Sequence, residues 1–237
     1  MNRINKKLNL LLVSSSCAYK GRYFAHCEKE IKELFSGVKK ITFISYGGFD
    51  QLAYANTVSK RFKELGFKLG RVSEGKRAKD MIEKAEAIYI GGGNTFRLLF
   101  KLEKYGLLPI LRQKILSGVP YLGPSAGAIV ACPTIQSTGT IATLYPKSLK
   151  ALNLVPFFIA PHYTPTNPKK HTTGETREER FEEFLEENDE TVLALGEGSF
   201  LQIENGEVFL GGGDPAFIFK RGSGPVRYNP STFLVFW

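Results

Sequence analysis

Apolar residues in this chain come in short blocks divided by glycines and charged stretches, and the period of those blocks alternates. A continuous apolar run over 8–14 predicts a buried strand, and apolar positions at helical spacing among Glu and Lys over 23–34 predict a helix. The alternation continues with a strand over 41–45 that ends at Tyr46-Gly47-Gly48 and a helix over 51–65 stopped by Gly66. A strand over 67–72, a helix over 76–85, a strand over 87–90, a helix capped by Thr95 or Asn94 and a helix over 109–116 follow. Repeated strand–helix units predict an α/β fold with a mostly parallel central sheet flanked by helices. A further short apolar run, opening at Tyr121, meets a turn and leaves as a helix that runs to 131, where Cys132-Pro133 ends it.

Beyond that point the pattern loosens. Residues 134–150 are polar, rich in Thr and Ser, and carry no period. A strand over 157–160 closes at Pro161-His162-Tyr163, a loop spans 164–174, an acidic helix runs from 175 or 176 to 187, and a strand over 191–195 ends at Gly196-Glu197-Gly198. Short runs at 200–203, 208–210, 216–220 and 233–237, with a hairpin signal at Asn205-Gly206, predict a C-terminal antiparallel extension. Neither a linker nor an internal repeat interrupts the pattern, so residues 1–237 read as a single α/β domain.

Composition narrows the classes. Hydrophobic content of 43% with 23% charged residues is ordinary for a water-soluble chain, and no run approaches the ~18 apolar residues of a membrane span. The basic, then apolar, start imitates a secretory leader, but residues 14–20 offer a poor cleavage site and the apolar run reads as the first buried strand. Three cysteines, Cys17, Cys27 and Cys132, lack metal-ligand spacing and suit a reducing compartment, so the expected location is cytoplasmic, with no metal and no cofactor. The net charge of +9 is spread along the chain without a basic stripe, which argues against nucleic acid and leaves an attraction for small acidic molecules. As to assembly, a monomer and a homodimer are both compatible with the sequence.

The chemistry centres on Gly123-Pro124-Ser125-Ala126-Gly127, where an apolar strand meets a Gly-x-Ser-x-Gly turn and leaves as a helix. On a strand-to-helix corner this is a nucleophile elbow: near-absent side chains two residues either side admit the strained serine, and the N–H of Ala126 points at the same space as half of an oxyanion hole. Such a string arises by chance in roughly one chain of this size in ten. A second glycine stretch, Gly91-Gly92-Gly93-Asn94-Thr95, follows a strand and leaves backbone N–H groups uncovered at a helix start, where an oxyanion can approach.

A serine needs a base. Of three histidines, His26 reads as a surface helix residue and His171 as solvated in a Lys-rich loop, whereas His162 ends a buried strand, where parallel sheets place their sites. No Asp or Glu lies between Ser125 and His162, so the orienting acid stands outside that interval; Glu197, between two glycines at another strand end, is the candidate. The three are expected at the carboxyl edge of one sheet.

Taken together, Gly91-Gly92-Gly93-Asn94-Thr95-Phe96, Ser125-Ala126-Gly127-Ala128, Cys132-Pro133-Thr134-Ile135, Ala151-Leu152-Asn153-Leu154, Pro161-His162, Gly174-Glu175-Thr176-Arg177-Glu178-Glu179-Arg180 and Glu197-Gly198 resemble the peptidase E family of α-aspartyl dipeptidases, within the class I glutamine-amidotransferase-like superfamily that also holds cyanophycinase. The resemblance implies cleavage of Asp-Xaa dipeptides by Ser125 with His162 as base and Glu197 as acid, and an oxyanion hole from the N–H groups of Gly93 and Ala126. It also implies that Arg177, helped by Asn94, takes the substrate's carboxylate. Better-known members carry an aspartate after Cys-Pro-Thr-Ile where this chain has Thr140, a departure that bears on specificity. A cyanophycinase-like or broader exopeptidase, and a non-catalytic ligand-binding protein, are the two other readings of the same residues.

Overall fold

The computed structural model describes residues 4–167 and 174–235. The first half runs β1 (Asn9–Val13), α1 (Glu28–Leu34), β2 (Lys40–Ile44), α2 (Gln51–Glu64), β3 (Lys68–Arg71), α3 (Arg77–Glu83), β4 (Ala87–Ile90), α4 (Thr95–Lys104), α5 (Leu108–Leu116), β5 (Tyr121–Pro124) and α6 (Ala126–Ile129). The second half runs β6 (Phe158–Tyr163), α7 (Arg177–Glu187), β7 (Val192–Gly196), β8 (Ser199–Glu204), β9 (Glu207–Gly212), β10 (Ala216–Lys220), β11 (Ser223–Tyr228) and β12 (Thr232–Phe233). This is a mixed α/β fold whose large sheet is flanked by helices.

The large sheet has eight strands in the order β12-β9-β8-β1-β5-β4-β2-β3. Its β1, β5, β4, β2 and β3 are mutually parallel, as the alternating pattern predicts. Along these strands the side chains alternate between two apolar layers. Leu11, Val13, Phe43 and Tyr89 pack with Ile31 of α1 and Val58 and Phe62 of α2, while Leu10, Leu12, Ile44, Ile88 and Ile90 pack with residues of α3 to α6. Helix starts are fixed by side chains: Asp50 accepts from the N–H groups of Leu52 and Ala53, and Thr176 and Glu179 close a capping box at α7.

The expectation of one central sheet is corrected. A separate four-stranded sheet, ordered β11-β10-β7-β6, holds the strands that lead to His162 and Glu197. Its β6 and β7 are parallel to each other and β10 and β11 run antiparallel, so the predicted C-terminal extension is split between the two sheets. Apolar period says which residues turn inward; it does not say which edge a strand joins. Both sheets share one core, since Ile159, Leu193 and Leu195 belong to the same cluster as Leu10 and Leu201.

Other differences are local. The first predicted helix begins as a 3-10 turn, Ala25–Cys27, because Phe24 before it is left-handed, and α1 proper starts at Glu28. The exposed β11 lacks any apolar alternation and escapes sequence reading. Of the run at 233–237, Thr232–Phe233 forms the strand and residues 236–237 lie outside the described part, as does His171. Asn205 and Gly206 both take positive φ in the β8–β9 hairpin, as the Asn-Gly signal predicts. Residues 134–150 form no strand or helix beyond a bridge between Thr134 and Lys150. Among the described residues no helix is long and apolar enough to cross a membrane.

Candidate active site

The corner after β5 carries Ser125 at φ 51° and ψ −115°, a backbone position that side-chain-bearing residues rarely occupy. The flanking glycines are sterically required. A Cβ on Gly123 would stand 2.6 Å from the carbonyl oxygen of Gly127, and one on Gly127 would stand 2.1 Å from that of Ile90. The buried Tyr121 hydroxyl donates to the Gly127 carbonyl at 2.6 Å, and the Ser125 N–H donates to Val13 of β1 at 2.9 Å. The elbow is thus locked to two neighbouring strands.

His162 sits near the end of β6, also left-handed at φ 56°, where the register against β7 shifts between Ala160 and Tyr163. Its N–H donates at 2.8 Å to Oγ of the fully buried Ser14, which in turn donates at 3.1 Å to the Leu195 carbonyl of β7. Ser14 follows β1, so one hydroxyl ties the end of the large sheet to both parallel strands of the smaller one. Glu197 occupies the two-residue link by which the chain crosses from β7 in the small sheet to β8 in the large one. Asp214 holds that link by accepting from the Gly198 N–H at 2.8 Å.

The side chains of Ser125, His162 and Glu197 meet. Nε2 of His162 lies 2.9 Å from Oγ of Ser125, and Nδ1 lies 2.7 Å from Oε2 of Glu197. An ionised carboxylate only accepts, so Nδ1 carries the ring hydrogen and Nε2 is left to accept from the serine hydroxyl. The arrangement can pass a proton from hydroxyl to imidazole while the carboxylate steadies the cation that forms.

Glycines bring a second backbone segment against the elbow. A Cβ on Gly92 would lie 3.3 Å from Cβ of Ser125, and Gly93, at φ 121°, would collide with Gly47 if it carried a side chain. The Tyr54 hydroxyl, whose pKa burial raises, closes on the same loop, where a Cβ on Gly91 would stand 2.5 Å from it. The N–H groups of Gly93 and Ala126 enter no backbone hydrogen bond among the described residues. Asn94 is employed: its Oδ1 caps α4 by accepting from the Arg97 N–H, and its Nδ2 donates at 2.8 Å to the carbonyl of Ile141 in the 134–150 loop. Thr138 of that loop reaches Thr95 at 2.9 Å and Thr140 at 3.0 Å, which lays the loop across the start of α4.

Arg177, the first residue of α7, donates to the carbonyls of His162 at 2.6 Å and Pro161 at 2.9 Å and lies against the rings of Tyr163 and Phe181. Burial lowers its pKa. A guanidinium has five N–H donors, so among the described residues these two bonds leave donors for another partner. His26 differs from its sequence reading as a surface residue. It is half-buried, its enclosed Nε2 finds no partner among the described residues, and burial lowers its pKa. Sequence reasoning also missed Ser14, Tyr54 and Asp214; only Ser14, at the carboxyl end of an apolar strand, carried a positional signal. Among the described residues no three His, Cys, Asp or Glu side chains gather as a metal site.

The family model described as Peptidase family S51 matches residues 10–211. The chain is 38% identical to a Peptidase E of Streptomyces coelicolor over 92% of its own length and 90% of that protein, and 40% identical to a Peptidase E of a Nostoc species over 96% and 95%. A Drosophila melanogaster protein named probable alpha-aspartyl dipeptidase is 36% identical over 96% of both chains. Among solved structures, a protein from Listeria monocytogenes titled a putative Peptidase E superposes with a TM-score of 0.66 at 26% identity, covering 86% of this chain and 98% of that one. With the family model and relatives of this identity spanning nearly the whole chain, the protein belongs to peptidase family S51 and is a peptidase, a hydrolase of peptide bonds.

Proposed function

We propose that the chain is a serine exopeptidase that hydrolyses dipeptides with an N-terminal aspartate. The observation that carries this reading is the unbroken hydrogen-bonded line from the Ser125 hydroxyl through His162 to Glu197. Ser125 Oγ attacks the peptide carbonyl as its proton passes to Nε2 of His162. The N–H groups of Gly93 and Ala126 take the charge that develops on the carbonyl oxygen. As the C–N bond breaks, His162 returns the proton to the leaving amine; water, deprotonated by the same imidazole, then cleaves the acyl-enzyme. Arg177 grips the aspartate carboxylate with its remaining N–H groups, and its packing against two rings strips the hydration that would weaken that grip. Asn94 supports it from the rim. Relatives named peptidase E and alpha-aspartyl dipeptidase support the substrate class.

The architecture is read as class I glutamine-amidotransferase-like, and the chain as a cytoplasmic monomer or homodimer acting on small acidic peptides without a cofactor. A panel of Asp-Leu, β-Asp-Arg and a neutral dipeptide tests the reading and separates it from a cyanophycinase-like activity. Asp-Leu is the expected substrate, and Ser125→Ala is expected to lower its turnover by about 10⁴ to 10⁶. Near-normal turnover by that variant, or failure of a fluorophosphonate to label Ser125, rejects it.

A further inference from the structure

The sequence contains no Asp or Glu anywhere from residue 104 to residue 174, an interval that includes the serine, the loop over α4 and the histidine. Carboxylates on neighbouring elements are engaged. Glu197 holds His162, and Asp214 holds Gly198. Glu178 accepts from the Tyr163 hydroxyl and from both the N–H and hydroxyl of Thr166, and Glu175 pairs with Arg180.

Backbone acceptors around the site are engaged in the same way. The carbonyls of Pro161 and His162 accept from Arg177, that of Gly47 accepts from the Asn94 N–H and from Nη1 of Arg97, and that of Ile141 accepts from Asn94. Among the described residues, donors stay open beside them: the N–H groups of Gly93 and Ala126 enter no backbone hydrogen bond, and each of the two guanidinium groups keeps N–H groups beyond those in these bonds. An ammonium ion carries three donors and no acceptor, so among the described residues it meets oxygens that already hold a partner, while a carboxylate meets donors that hold none.

Resting on the peptidase reading above, we propose that this chain recognises the acyl side of its substrate by the carboxylate alone. It therefore hydrolyses diacid monoamides without an α-amine, such as succinyl-leucine, as readily as aspartyl dipeptides. The reaction is the same addition of water across the C–N bond, yielding succinate and leucine through a succinyl-serine. Thr140, on the loop laid across the α4 start, bonds to Thr138 and brings no carboxylate to that side.

The test compares kcat/KM for Asp-Leu and succinyl-leucine, which differ only in the amine. A charge-assisted hydrogen bond to an ammonium is worth about 1.5–3 kcal/mol, roughly 10- to 150-fold. The proposal expects the two values to agree within about tenfold; succinyl-leucine slower than that, with Asp-Leu still cleaved, overturns the inference and leaves the peptidase reading standing. Hydrolysis of neither, with Ser125 unlabelled by a fluorophosphonate, rejects both. Thr140→Asp is expected to raise the Asp-Leu to succinyl-leucine ratio by about tenfold, the size of one such bond. An unchanged ratio would put the amine elsewhere and overturn the argument from this loop.

Discussion

Two corners of this molecule hold their key residue in the left-handed region, and they do so by opposite means. The Ser125 corner is held locally, by glycines at minus two and plus two and by backbone contacts that admit no side chain. The His162 corner has no adjacent glycine; it is held from afar, by Ser14 across the gap between sheets and by Arg177 from α7. Strain imposed by neighbours in sequence leaves a mark in the sequence, while strain imposed by distant side chains leaves none. The serine corner should therefore fail through its backbone and the histidine corner through its partners.

The largest effect sharpens the first half of that contrast. Gly127→Ala places a methyl 2.1 Å from the Ile90 carbonyl oxygen, backbone against backbone. It is expected to cost more than about 4 kcal/mol, seen as insoluble protein or a large fall in the denaturation midpoint. A midpoint within experimental error of the parent would break the claim that the elbow is sterically locked.

Ser14→Ala addresses the second corner. It takes the acceptor from the half-buried N–H of His162 and a donor from the buried carbonyl of Leu195, so a loss of about 1–3 kcal/mol is expected by urea denaturation. Turnover should fall further than stability explains, with KM little changed, because the imidazole loses its backbone anchor. Thr176→Ala, which removes the capping box ahead of Arg177, is expected to cost about 1 kcal/mol and to raise KM more than it lowers kcat.

The smallest effect is one of pH. Burial pushes the Glu178 carboxyl up, but hydrogen bonds from Thr166 and Tyr163 outweigh it and hold its pKa below the usual value. A depressed carboxylate contributes stability that is present above the unfolded value, near 4.5, and is lost as pH falls toward the folded one. Acid should therefore loosen β6 before β5, and hydrogen exchange followed from pH 6 to pH 3 should show protection falling first around His162. Glu178→Gln should abolish that step; equal loss at both corners would dissolve the distinction.

Much was legible without coordinates. Alternating apolar runs determined the parallel strands β1 to β5 and the helices between them, because burial on both faces demands continuous apolar residues and a crossover demands an amphipathic helix. The Gly-x-Ser-x-Gly string determined the elbow because only glycine fits there, and Asn205-Gly206 determined a hairpin by the same logic. Elimination among three histidines and a carboxylate-free interval named His162 and Glu197 as candidates.

Tertiary structure alone decided that these two stand on a second sheet and reach the serine across a gap. It also decided that Ser14 bridges that gap and that the side chains of Arg177 and Asn94 are already bound to backbone carbonyls. The physical reason is the same in each case. Period and composition report whether a residue faces the core, a property of one segment; strand order and hydrogen-bond partners are set by which distant segment offers the complementary edge, and no local pattern records that choice.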